Sequence, residues 1–152
     1  VGFFDTVGNN KVLWVSVLAW FIAQSLKVIH TLIVDRRFNV WRFVGSGGMP
    51  SSHSSFVMGL STSIGLVHGW DSTLFAIAIV MALIVMYDAA GVRRAVGKQA
   101  IIINKMIEDL HKKKGKREKN VTEQRLKELV GHTPIEVFAG ALLGVVVAYL
   151  LI

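Results

Sequence analysis

Four stretches of this chain carry at most one charged residue each: residues 12–34, 54–67, 71–87 and 135–152. A helix needs about 20 apolar residues to cross the hydrocarbon core of a bilayer. Residues 12–34 and 135–152 meet that length, and 71–87 comes close. Residues 54–67 are short unless Ser51, Ser52 and His53 form the first turn of the same helix. In lipid the backbone must satisfy its own hydrogen bonds, so apolar runs of this kind are expected as helices. The chain is 53% hydrophobic and 18% charged, less charge than the quarter or so of a soluble domain.

Where the remaining charge lies sharpens this reading. The formal net charge is +7, which would suit a nucleic-acid partner if it were spread over a surface. Residues 90–131 hold 12 Lys/Arg and 5 Asp/Glu, so the whole excess sits in one connection between apolar runs. Residues 35–53 add Arg36, Arg37 and Arg42 against Asp35. Basic connections of this kind mark the cytoplasmic side of membrane helices. The expected topology puts both connections in the cytoplasm, with the N-terminus, the turn at 68–71 and the C-terminus opposite. A DNA-binding protein using residues 112–119 would need the apolar runs to be a soluble core, so no nucleic-acid partner is expected. With no cysteine, disulfides and thiolate chemistry are excluded. No basic leader precedes the first run, and no signal peptide is expected.

The predicted fold is all-α: one polytopic membrane helical bundle over 1–152, with about four spans plus an amphipathic helix. Gly140 and Gly144 are spaced for close helix packing. Residues 98–110 pattern as the amphipathic helix, at the interface or under the bundle. Residues 111–120 read as a basic, mobile, solvated loop. Thr122 caps a short helix there, but the position three residues on holds Arg125 rather than a capping-box glutamate.

Two polar motifs precede apolar runs. Gly45-Ser46-Gly47-Gly48-Met49 leads into Pro50-Ser51-Ser52-His53. Glycines allow close backbone approach, and proline is tolerated in a first helical turn. Ser51 and Ser52 supply hydroxyl donors, and first-turn N–H groups face an anion. His53 can protonate a leaving oxygen near neutral pH. The plainer account is a turn, a helix cap and a hydrogen-bonded histidine. The second motif is Gly131-His132-Thr133-Pro134-Ile135-Glu136. Thr133 and Glu136 have capping-box spacing. Alternatively Glu136 binds one ring nitrogen of His132 and leaves the other as a nucleophile.

Lys27 is costly within a span unless it faces a polar interior or reaches the surface, and an anionic substrate would give it a counterion. His30, one turn on, can line the same cleft. Asp88 can orient Arg93 or Arg94, which then clamp phosphate oxygens; the plainer account is a helix exit with basic interface anchors. His53, His132 and Glu136 are also metal-ligand types, but no metal or other cofactor is expected.

The first motif resembles the proline-serine-glycine-histidine motif of the type 2 phosphatidic acid phosphatase superfamily, with Ser52 in place of glycine. The stretch from Gly131 to Gly140 is similar to the superfamily's third motif, with Glu136 where aspartate is usual. Residues 46–54, 87–99 and 131–144 resemble more closely its divergent branch, small membrane proteins related to acid phosphatases and vanadium haloperoxidases. The resemblance implies His132 as nucleophile, His53 as leaving-group acid, Lys27 as a phosphate ligand and Glu136 as the group that orients His132. The usual arginine beside Lys27 has no clear equivalent; Arg36, Arg37 and Arg42 are candidates. The third-motif arginine would fall at Leu126, flanked by Arg125 and Lys127, and Arg93 or Arg94 can substitute.

The expected function is metal-independent hydrolysis of a lipid phosphate or diphosphate, with phospholipid or polyprenyl phosphate as partner and the site facing the cytoplasm, in the plasma membrane. The alternative is a noncatalytic protein that binds or translocates such lipids. Self-association into a homo-oligomer is compatible with either. An alkaline carbonate wash should leave the protein in the membrane pellet, whereas recovery in the supernatant would indicate a soluble helical core.

Overall fold

The structure is a computed structural model that describes residues 2–35, 48–113 and 131–152. Every regular element among them is a helix: α1 Phe3–Gly8, α2 Lys11–Asp35, α3 Ser52–His68, α4 Thr73–Ala90, α5 Val92–Lys113 and α6 Pro134–Leu151. The expectation of an all-α bundle holds. Three segments are long and apolar enough to cross a membrane, Lys11–Ile33, Thr73–Asp109 and Pro134–Leu151. The second apolar run becomes α3, which begins at Ser52 and spans 17 residues. It is about 25 Å long at 1.5 Å per residue.

α3 is the central helix, packed against α2, α4 and α6. Its composition explains the position. Its buried residues are Ser52, Ser54, Ser55, Gly59, Ser61, Thr62, Ser63 and Gly65, all small. Only His53, Val67 and His68 of α3 are exposed. Small side chains let neighbouring backbones come close, which drives packing where lipid removes the hydrophobic incentive. The spacing of Gly140 and Gly144 has this use. A Cβ on Gly140 would strike the Ser51 carbonyl, and one on Gly144 would strike that of Ser55. On the other flank Gly59 faces Ala19, and Ser55 Oγ donates to the Ala19 carbonyl at 3.0 Å.

The buried hydroxyls are largely absorbed locally. Ser16 donates to Val12 O at 2.7 Å, Thr31 to Lys27 O at 3.0 Å and Ser61 to Val57 O at 2.8 Å. Such back-bonding satisfies a polar group without a partner helix. Away from the polar end, Val15 and Ala19 of α2 pack on Val147 and Ala148 of α6 as an apolar core. The outward faces are apolar throughout: Ile84 is 63% exposed, Phe138 72% and Leu150 77%, as suits contact with lipid.

α4 and α5 are separated by Gly91 alone, so the amphipathic segment begins at Val92, earlier than its residue pattern suggests. Among the described residues α5 packs mainly on α4. Residues 111–113, expected in the basic loop, are the last of α5; the rest of that loop, with Thr122 and Arg125, lies outside the described residues. Arg36, Arg37 and Arg42 do so too. The turn at 68–71 forms as expected, with Gly69 at φ 92° and Ser72 capping α4.

Antiparallel packing puts the end of α2, the start of α3, the end of α4 and the start of α6 at one end of the bundle. Gly140→Leu forces a large side chain against Ser51 and should lower stability by about 1–3 kcal/mol. Thermal unfolding in detergent, with the lipid-facing Leu142→Val as control, reads the difference.

Candidate functional site

The polar end is built from three helix termini. At α3, Ser51 is the N-cap, and its Oγ accepts from Ser54 N at 3.4 Å and from Ser54 Oγ at 2.9 Å. The Ser51 N–H donates to the Glu136 carbonyl at 2.9 Å, which fixes this loop to the first turn of α6. Ser52 Oγ is buried and has no hydrogen-bond partner among the described residues. His53 follows, exposed to a cavity of about 420 Å³ that Arg93 also lines.

At α6, Thr133 caps the helix and Pro134 occupies its first turn. Thr133 Oγ1 accepts from Glu136 N at 3.3 Å, and Glu136 Oε2 accepts from Thr133 N at 3.3 Å. The same Oε2 lies 2.9 Å from His132 Nδ1. The two accounts of Glu136 are therefore one arrangement: the carboxylate closes the capping box and also holds the imidazole. A carboxylate only accepts, so Nδ1 donates, and in the neutral ring Nε2 carries the lone pair. His132 is 3% exposed, and its N–H donates to the Ala89 carbonyl at 3.2 Å.

That backbone bond brings in the end of α4. A Cβ on Gly131 would collide with the backbone of Arg93 and Arg94, so the glycine is required by close approach. Arg93 follows directly, and its Nε donates to Asp88 Oδ2 at 2.8 Å. Both side chains are half exposed, so the pair orients the guanidinium more than it stabilises the fold.

Lys27 enters from α2 and is 2% exposed. Ala19 lies level with Ser55 across the α2–α3 contact, so Lys27, two turns on, lies just beyond the start of α3. His53 stands outside the three candidate spans. Its pKa is lowered from 6.5, first by burial and then by the charges of Arg93, His132 and Lys27. The charges of those three groups thus act on His53 and disfavour a further positive charge there.

Of the residues expected from sequence, Lys27, Ser52, His53, Arg93, His132 and Glu136 gather here. Ser51 lies here too, with its hydroxyl engaged as a cap. Asp88 orients Arg93. Arg94 is half-buried, with its backbone against Gly131. His30 sits on the exposed face of α2, away from the groups acting on His53. Among the described residues no three His, Cys, Asp or Glu are grouped to hold a metal. The sequence did not single out Ala89 or Trp20, and it offered Gly131 only as part of the second motif. Trp20 had a signal, since it lies two turns before Lys27 and so shares its face of α2.

The pattern of the divergent PAP2 family matches residues 8–147. The chain belongs to the divergent PAP2 family. It is 45% identical to "Uncharacterized membrane protein YuiD" of Bacillus subtilis (strain 168), over 94% of each chain. No solved structure matches it. It is a membrane protein by both its helices and this likeness.

The double role of Glu136 is separable. Glu136→Gln keeps a capping oxygen, and Glu136→Ala removes it, so Ala should cost about 1 kcal/mol more in thermal unfolding. Both should alter the His132 tautomer seen by nitrogen NMR of labelled histidine, since neither supplies a carboxylate.

Proposed function

We propose that this family member hydrolyses a phosphate monoester or diphosphate carried by a membrane lipid, without a metal. The observation that carries the reading is His132, held at Nδ1 by Glu136 and set beside His53, Arg93 and Lys27. Phosphate oxygens would take charge-assisted hydrogen bonds from Lys27, Arg93 and Ser52 and from first-turn N–H groups of α3 and α6. His132 Nε2 attacks phosphorus in line. The bond from phosphorus to the leaving oxygen breaks, and that oxygen takes a proton from His53. A water then attacks the phosphohistidine, giving its proton to the now neutral His53 and returning His132. Fixed donors around the transferring group supply most of the stabilisation.

The site lies at the end from which the basic 90–131 connection departs, and Arg36, Arg37 and Arg42 come directly after α2 in the sequence. By the positive-inside tendency this end faces the cytoplasm, in the plasma membrane. Phosphatidate, phosphatidylglycerol phosphate and polyprenyl diphosphate all carry the required group.

The test is phosphate release from a panel of lipid phosphates and diphosphates, with chelator present. His132→Ala should abolish release, and His53→Ala should lower kcat by about 10²–10⁴. Folded protein with no histidine-dependent release across the panel would turn the reading to lipid binding or translocation.

The pH profile has a definite sign. His53 acts as an acid, so activity falls as pH rises through its pKa. In the free protein that pKa lies below 6.5, so the alkaline limb of kcat/KM should have its midpoint on the acid side of 6.5. A bound phosphate anion favours the protonated ring, so the limb of kcat should sit at higher pH.

A further inference from the structure

The cavity beneath His53 and Arg93 adjoins a second one along α3, and the two together form an apolar trough that Val57 joins. Below those two groups its walls are apolar, from Val17, Trp20, Phe56 and Val57. A second cavity, about 190 Å³, lies between α3 and α4, lined by Leu60, Ile64, Leu74, Ile77, Ala78 and Ala82. Val57 lines both. On α3 the shared face runs through His53, Val57, Leu60 and Ile64, spaced four, three and four residues apart, as one helical stripe requires. From His53 the stripe descends about 6 Å to Val57 and about 16 Å to Ile64, at 1.5 Å per residue. Ala78 and Ala82, one turn apart on α4, leave the lower part open, where larger side chains would close it.

We propose that this trough binds a single hydrocarbon tail of the phosphate-bearing lipid and measures its length. The inference rests on the phosphate reading of the site above it. A cationic head over an apolar trough fits an amphiphile with one anionic end. Burial from water contributes little, because the tail comes from lipid already. Fit decides instead: a tail that overruns Ile64 must bend, and a short one leaves the space beside Ala78 and Ala82 unfilled.

The test uses saturated alkyl phosphates with a diazirine on the last carbon, in phosphatidylcholine vesicles holding the full chain. After irradiation, labelled residues are mapped by mass spectrometry. A probe reaching about 6 Å should label Phe56 and Val57, and one reaching about 16 Å should label Ile64 and Ala78, following the helical rise. Excess inorganic phosphate should suppress both. Val57→Trp, which fills the junction, should lower distal labelling by about tenfold while Phe56 is still labelled by the short probe. Should that variant not fold, Ala78→Leu narrows the distal part alone and should give the same distal loss.

Labels scattered over lipid-facing residues such as Ile84, Phe138 and Leu150, or independent of probe length, would overturn the trough. If phosphate release persists in that case, the phosphatase reading stands without it. The reverse outcome is also distinct. An uncharged alkyl alcohol that labels the same residues, insensitive to inorganic phosphate, would keep the tail site and defeat the phosphate reading.

Discussion

The contact between α3 and α6 is the constraint on which the polar end depends. Two helix starts meet there, and both are rich in unsatisfied N–H groups. They can do so because Gly140 and Gly144 present no side chain to the Ser51 and Ser55 carbonyls. The hydrogen bond from Ser51 N–H to the Glu136 carbonyl then sets their relative height. In a membrane interior such backbone proximity replaces the apolar side-chain core that a soluble bundle would use. The site follows from that packing, since the residues at the two starts include His53 and His132.

Electrostatics explains why so polar an end is tolerated. Lys27 is almost fully buried, and its charge acts on His53 together with those of Arg93 and His132. Burial first, and then the like charges of these groups, depress the pKa of His53. A bound phosphate would reverse the sign of that charge effect.

Much of this arrangement was legible in the sequence, and the reasons differ by residue. The apolar runs gave the helices because their length and composition leave the backbone few other options in lipid. Gly140 and Gly144 carried their packing role in their spacing. His53, His132 and Glu136 stood out as polar residues at helix starts. The α4–α5 junction was less readable, because Gly91 ends one helix and the next begins at once, where a loop was expected. His30 was misleading: one turn from Lys27 along the helix, it still lies on the exposed face. Ala89 was invisible, since its contribution is a backbone carbonyl that any residue could offer. The convergence of Arg93 with His132 likewise depends on tertiary packing, through Gly131, and local pattern says nothing of it.

The bond from His132 N–H to the Ala89 carbonyl has a mechanical meaning. It ties the end of α4 to the peptide that bears the imidazole. α4 is also one wall of the apolar trough, through Val85 and Ala78. The helix that lines the cavity and the peptide that bears His132 therefore share one anchor, the Ala89 carbonyl. One backbone hydrogen bond thus joins a wall of the apolar cavity to the peptide of the ring that Glu136 holds.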